Sequence, residues 1–249
     1  MSHAETLLVV PAFNEGQRLA AFLPDLCNKI STSSQNISLL VIDDGSLTTE
    51  STAMRACVES LRATHPFLQP LLTLPENLGK GGAIYAGWST STSAEWLGFI
   101  DADGAVPAAE AIRFARMAHE STNTDGLFAN RIQMLGRPIE RTFTRHLAGR
   151  IYATLSANLT GIPVYDSQCG LKFVRRSCYE RVRPGLTETR FGFDMELIAL
   201  LQRAGCRLRE EPLSSWRDIP GGKVHLVRDS FRMFVSLLSL RRKLQKSAK

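Results

Sequence analysis

Apolar runs, each followed by a short polar signature and then by residues at helical spacing, constrain this chain more than any other feature. TLLVVPA (6–12), SLLVIDD (38–44), LLTLP (71–75) and WLGFIDAD (96–103) are the runs. Leu19, Phe22, Leu23 and Leu26 follow the first at helical spacing, Thr48 to Leu61 the second, GKGGAIYAGW (79–88) the third, and Ala108 to His119 the fourth. The second helix is expected to start from a Ser46 or Thr48 cap, and the last carries Pro107 near its start. Strands apolar throughout and alternating with helices predict a mostly parallel sheet with helices on both faces. Beyond Ser121–Thr124, DGLFANR (125–131) reads as a fifth strand ending at Arg131, and Glu140 to Leu159 as a helix with Phe143, Leu147, Ile151 and Leu155 on one face. QCGLKFVRR, FGFDMELIALLQRAG and RLREEPLSSW then read as strand, helix and strand.

The polar signatures PAFNE (11–15), DDGS (43–46), NLGKGG (77–82) and DADG (101–104) all fall at the C-terminal ends of these strands, the edge where open parallel sheets bind ligands. Singly, Asn14, Ser46 or Asp103 could be a helix cap; four signatures on one rim make a site. Asp101 and Asp103 are two residues apart, so on a strand they point the same way and can face one ion. Their oxygens suit Mg2+ or Mn2+, which keep coordination positions open for substrate phosphates. Gly79-Lys80-Gly81-Gly82 opens a helix and can attract an anion there. It is not a P-loop, because no Ser or Thr follows Lys80, and Ile84 breaks the dinucleotide fingerprint.

Charge excludes other classes. The net charge is +6 over 249 residues, yet from Arg217 to Lys249 nine Lys/Arg face only Asp218 and Asp229. That surplus of seven leaves the rest of the chain about neutral, which argues against a nucleic-acid-binding surface. Five dispersed cysteines with no Cys-x-x-Cys pair read as reduced core thiols. The start of the chain has no basic leader pattern and no 18-residue apolar run occurs, so the expected location is cytoplasmic. Drawn as a helix, the tail has one stripe of Val227, Phe231, Phe234, Val235 and Leu238 and a second of Leu226, Met233, Leu237, Leu240 and Leu244, ending in Arg241, Arg242, Lys243, Lys246 and Lys249. Two readings stay open: a helix lying on an anionic membrane surface, or one docked on the body or a second subunit. The expected organisation is one domain over residues 1–220, continued by a basic amphipathic helix over 221–249.

PAFNE, DDGS, NLGKGGA and DAD in this order resemble the family 2 glycosyltransferases with the GT-A fold. DSQCGLKFVRR (166–176), RFGFDMEL (190–197) and SSWRDIPGGKVHLVRDSFRM (214–233) look like their dolichyl-phosphate β-glucosyltransferase branch. The resemblance implies an inverting transferase moving a sugar, glucose from UDP-glucose foremost, to a polyprenyl phosphate. GDP-mannose or another donor, or a soluble hydroxyl acceptor, is the alternative. It implies that Pro11, Glu15 and Asp44, with Asp43 beside them, hold base and ribose. Lys80 lies on the donor side, and Asp101, Ala102 and Asp103 form the metal motif. Arg131 and Arg145 match phosphate-binding arginines, Gln168 and Lys223 fall in acceptor-side motifs, and Asp194 lies where many members carry a base. A phosphate monoester is largely dianionic at neutral pH and needs cations to place it rather than a base; a hydroxyl acceptor would need Asp194 to take its proton.

Overall fold

The computed structural model describes residues 5–140, 154–190, 192–219 and 226–246, with side chains undescribed at 140, 226–234 and 246. In chain order the elements are β1 (Thr6–Ala12), α1 (Gly16–Ser31), β2 (Ile37–Asp43), α2 (Thr48–Arg62), β3 (Leu72–Thr73), α3 (Lys80–Trp88), β4 (Trp96–Ile100), α4 (Ala108–Glu120) and β5 (Gly126–Asn130). There follow β6 (Ile139–Glu140), a helical segment at 154–160 (α5), β7 (Leu171–Arg175), α6 (Arg176–Val182), α7 (Phe193–Arg203), β8 (Leu208–Pro212), β9 (Trp216–Arg217) and α8 (Leu226–Lys246). Seven strands form one sheet in the order β3-β2-β1-β4-β7-β5-β8, and β6 pairs with β9 separately. Only β7 is antiparallel to its neighbours in the large sheet, so the mostly parallel α/β expectation is met.

The apolar strands acquire their meaning from burial on two sides. Leu7, Leu8, Val9 and Val10 of β1 are all fully buried. Leu8 and Val10 join the core layer under α1, α2 and α4, whereas Leu7 and Val9 join the layer that contains α3, α7 and the end of α8. β2 divides in the same way, with Leu39 and Val41 on one side and Leu40 and Ile42 on the other. A period of two, apolar on both phases, is what a strand covered on both faces requires. Each large apolar side chain so buried contributes about 1.5–3 kcal/mol. Pro11 stands beyond the last β1–β4 pair, Val9↔Phe99, so its missing N–H breaks no bond to β4.

Several local expectations are corrected. LLTLP supplies only the two-residue β3, because it pairs with β2 alone at the sheet edge. No side chain caps α2: its N-cap is Leu47, and Ser46 is engaged elsewhere. Glu140 ends a strand rather than opening a helix, since Ile139–Glu140 pairs with Trp216–Arg217. Residues 141–153, with Phe143, Leu147 and Ile151, lie outside the described part; 154–160 is helical, as expected as far as Leu159, and Leu155 on it is exposed. The helix expected over FGFDMELIALLQRAG is present as α7, with Asp194 in its first turn.

Of the tail stripes, the side chains of Leu226, Val227, Phe231, Met233 and Phe234 lie outside the described part, and the rest separate by burial. Leu237, Leu240 and Leu244 of the second stripe are buried in the α3–α7 layer, while Val235 of the first is 48% exposed. Lys243 Nζ lies 2.5 Å from Glu196 Oε1, Ser236 Oγ donates to Glu188 Oε2 at 2.8 Å, and Arg203 donates to the carbonyl of Leu244. The last turns of α8 are therefore docked on the body, with Arg241 and Arg242 facing solvent. Among the described residues no helix is long and apolar enough to cross a membrane.

Candidate functional site

The parallel strands β1, β2 and β4 end on one edge, and their polar signatures interlock there. Asn14 adopts a left-handed φ of 52°, which asparagine tolerates, and bridges two loops. Its N–H donates to Ser46 Oγ at 2.8 Å, and its Oδ1 accepts the Leu47 N–H at 2.8 Å. Glu15 Oε1 accepts from Arg18 Nη2 at 2.6 Å. Asp43 is fully buried; its Oδ1 accepts the Ser46 N–H at 3.0 Å, and its Oδ2 has no hydrogen-bond partner among the described residues. Asp44 points the other way. Its two oxygens accept the N–H groups of Leu78 (2.8 Å) and Gly79 (2.9 Å), fastening the NLGKGG loop to β2. Burial raises the Asp44 carboxyl above its usual value, opposed by those two N–H groups.

β4 stops at Ile100, so the pleat does not place Asp101 and Asp103; a turn does. Asp101 is anchored by its own N–H to the carbonyl of Gly170 at 2.9 Å, and its Oδ1 lies 2.5 Å from Lys80 Nζ. Ala102 turns into the core beneath α1 and α4. Asp103 Oδ1 accepts the Ala105 N–H at 2.9 Å. Burial and the neighbouring Asp101 charge raise the Asp103 carboxyl, opposed by Ala105 N–H and Lys80. Burial alone would lower Lys80, but Asp101 and then Asp194 outweigh it and hold the ammonium above its usual value.

The fit to a divalent ion follows from the donor set. Asp101 and Asp103 are hard oxygen donors close enough for one to disfavour ionisation of the other, and Asp101 already draws a cation. Among the described residues no group of three or more His, Cys, Asp or Glu could hold a metal. Of the described residues, Asp101 and Asp103 would hold Mg2+ or Mn2+, which keeps coordination positions for oxygens of the ligand.

On the other side of β4 lies a second set of charges. Arg131, just past β5, donates through Nε and Nη2 to Asp166 at 2.7 and 2.8 Å and lies 5.3 Å from the Trp216 ring centre. Burial would lower its guanidinium, but Asp166 raises it further and keeps it charged. Asp166 is held in turn, because Glu210 accepts the N–H groups of Tyr165 and Asp166 at 2.8 and 3.0 Å. Gln168 is half-buried in the segment between Asp166 and β7. Asp194 is 2% exposed and lies 2.6 Å from Nζ of fully buried Lys172. Burial raises Asp194, with Lys172 and then Lys80 opposing. Arg145 and Lys223 lie outside the described residues.

Sequence reasoning missed Asp166, Lys172, Gly170 and the Glu196–Lys243 link. The first three sit in the quoted DSQCGLK string, where the signal was present but only Gln168 was singled out. Glu196 and Lys243 are 47 residues apart in helices with no shared motif, so no local pattern could have joined them.

The family model described as "Glycosyl transferase family 2" matches residues 7–183. A dolichyl-phosphate beta-glucosyltransferase of Dictyostelium discoideum is 27% identical over 243 residues, covering 94% of this chain and 73% of its own. Glucosyl-3-phosphoglycerate synthase from Mycobacterium tuberculosis, solved with Mn2+, UDP and glucosyl-3-phosphoglycerate, superposes with TM-score 0.69 at 15% identity, covering 96% of this chain and 80% of that one. A mannosyltransferase from Pyrobaculum calidifontis, in complex with GDP-Man and Mn2+, gives TM-score 0.61 at 16% identity, covering 99% and 75%. At such identities the two structures establish the fold, and that fold is the expected one.

Proposed function

This chain belongs to glycosyltransferase family 2, and from that premise we propose that it transfers glucose from UDP-glucose to a polyprenyl phosphate, with inversion at the anomeric carbon. One observation carries the reading: Asp101 and Asp103 sit together at the end of β4, on the same edge as the buried Asp43, whose Oδ2 still lacks a donor. The naming of the Dictyostelium relative across 94% of this chain supports the sugar and the acceptor class.

In this reading Asp43 Oδ2 accepts a hydrogen bond from the nucleotide base. Asp44 holds the Leu78–Gly79 backbone so that α3 presents its first turn and Lys80 toward the diphosphate. Asp101 and Asp103 would hold Mg2+ or Mn2+, and the ion would supply charge neutralisation for the leaving diphosphate. Arg131, fixed by Asp166, orients the acceptor phosphate. A phosphate oxygen forms the new bond to the anomeric carbon as the bond to UDP breaks. A dianionic acceptor carries no proton that must be removed, so no side chain has to act as base.

The test supplies labelled UDP-glucose or, in parallel, labelled GDP-mannose, with Mn2+, to the purified chain with three acceptors: polyprenyl phosphate, the free polyprenol, and 3-phosphoglycerate. Label is expected in the first lipid alone, as the β-linked product. Label in polyprenol or 3-phosphoglycerate, or a preference for GDP-mannose as donor, would overturn the reading.

A further inference from the structure

The geometry points to the buried Lys172–Asp194 pair as a positioning element of the donor site: it sets Lys80 against Asp101, and Asp194 takes no proton during transfer. Lys172 is on β7 directly opposite Phe99 of β4, and Asp194 is in the first turn of α7. The ammonium groups of Lys80 and Lys172 each lie 5.2 Å from the centre of the same Phe99 ring. Each has its own carboxylate, Asp101 at 2.5 Å and Asp194 at 2.6 Å. Both ion pairs thus place their ammonium group against one aromatic ring.

The pair is placed to act on Lys80. α7 meets α3 at their first turns: a Cβ on Gly81, the residue after Lys80, would lie 2.5 Å from Cβ of Phe193, the residue before Asp194. Reaching an acceptor is another matter. Asp194 is 2% exposed and Lys172 fully buried, with Lys172 Nζ also donating to the Cys169 carbonyl at 2.7 Å. A general base must come within hydrogen-bond reach of the proton it removes, and Lys172 stands on the carboxylate instead. Losing one member leaves an uncompensated buried charge, whereas losing both restores neutrality.

This inference rests on the donor reading above. The test is a double-mutant cycle of Asp194→Asn, Lys172→Met and the two combined, with kcat, calorimetric binding of UDP with Mn2+, and Tm measured for each. Each single variant is expected to weaken Mn2+–UDP binding by on the order of tenfold, the effect of about one pK unit of lost interaction, and to lower kcat. The combined variant is expected to recover transfer at least roughly tenfold over Asp194→Asn, as removal of a balanced pair predicts. If a single variant does not fold, kcat of the combined variant decides. A combined variant that binds Mn2+–UDP and keeps its Tm, yet turns over no better than Asp194→Asn, would make Asp194 the proton acceptor and overturn the inference. So would single variants that lose Tm alone, with binding and kcat intact. Absence of Mn2+–UDP binding by the wild-type chain would overturn the donor reading itself, and this inference with it.

Discussion

Gly170 lies so close to Asp101 that a Cβ added to it would stand 2.1 Å from Asp101 Oδ2. Asp101 Cγ (2.4 Å) and Cβ (3.0 Å) are crowded as well, so the whole carboxylate would have to swing about its Cα–Cβ bond. Gly170→Ala is therefore expected to lower Tm by only a few degrees while weakening Mn2+–UDP binding tenfold or more, since crowding a packed position costs about 1–3 kcal/mol. Calorimetry beside a melting curve checks this; unaltered binding in a folded variant would refute it.

Asp103→Asn removes one charged oxygen donor and leaves its turn intact, because the amide oxygen can still accept the Ala105 N–H. Turnover should fall roughly a thousandfold or more, with Tm near that of the wild type. Full activity in EDTA, or in this variant, would contradict the metal role.

Asp44→Ala strips two charge-assisted hydrogen bonds from the Leu78 and Gly79 N–H groups. The cost should be about 2–4 kcal/mol, lowering Tm by roughly 5–15 °C for a chain of this length, and KM for the donor should rise more than kcat falls. An unchanged KM would show that the NLGKGG loop holds its shape without Asp44.

Glu196 ties the C-terminal helix to the Thr187–Glu188 backbone. Burial opposes its charge, but Lys243 and the N–H groups of Glu188 and Thr187 outweigh burial and hold it below its ordinary value of 4.5. A depressed carboxyl contributes stability that is complete above the unfolded value and lost as pH falls through the folded one. Glu196→Gln should therefore be less stable than wild type at neutral pH, and the gap should close below about pH 4. Urea unfolding at a series of pH values measures it; a gap that widens in acid would reverse the assignment.

Arg241 and Arg242 face solvent beside the exposed Val235, while Lys243 and Leu244 are engaged with the body. Charge reversal at the two arginines, rather than truncation, therefore isolates membrane attraction from packing. Each basic residue near an anionic leaflet contributes about 1 kcal/mol. The wild type should sediment with anionic vesicles at low salt, and Arg241→Glu/Arg242→Glu should lose most of that binding with Tm and UDP binding retained. Equal sedimentation of both would leave the face without a lipid role.

By itself the sequence determined the interior strands and the edge that carries the site, but not the start of α2, the strand at Glu140 or the turn that holds Asp101 and Asp103. Apolar runs on both phases made β1, β2 and β4 interior parallel strands, and strand ends carrying PAFNE, DDGS and DADG put the site on one edge, because backbone period and strand polarity are local properties. Only the tertiary structure decided which partner each charge takes. Asp44 turned from the rim to the Leu78–Gly79 backbone, Lys80 came to Asp101, and Asp194 was closed off on Lys172. The tail's two stripes looked equivalent until Leu237, Leu240 and Leu244 found the core and Val235 did not. Such choices are settled by burial: a charge removed from water must find its counter-charge wherever the fold brings one, and no spacing in the sequence records that distance.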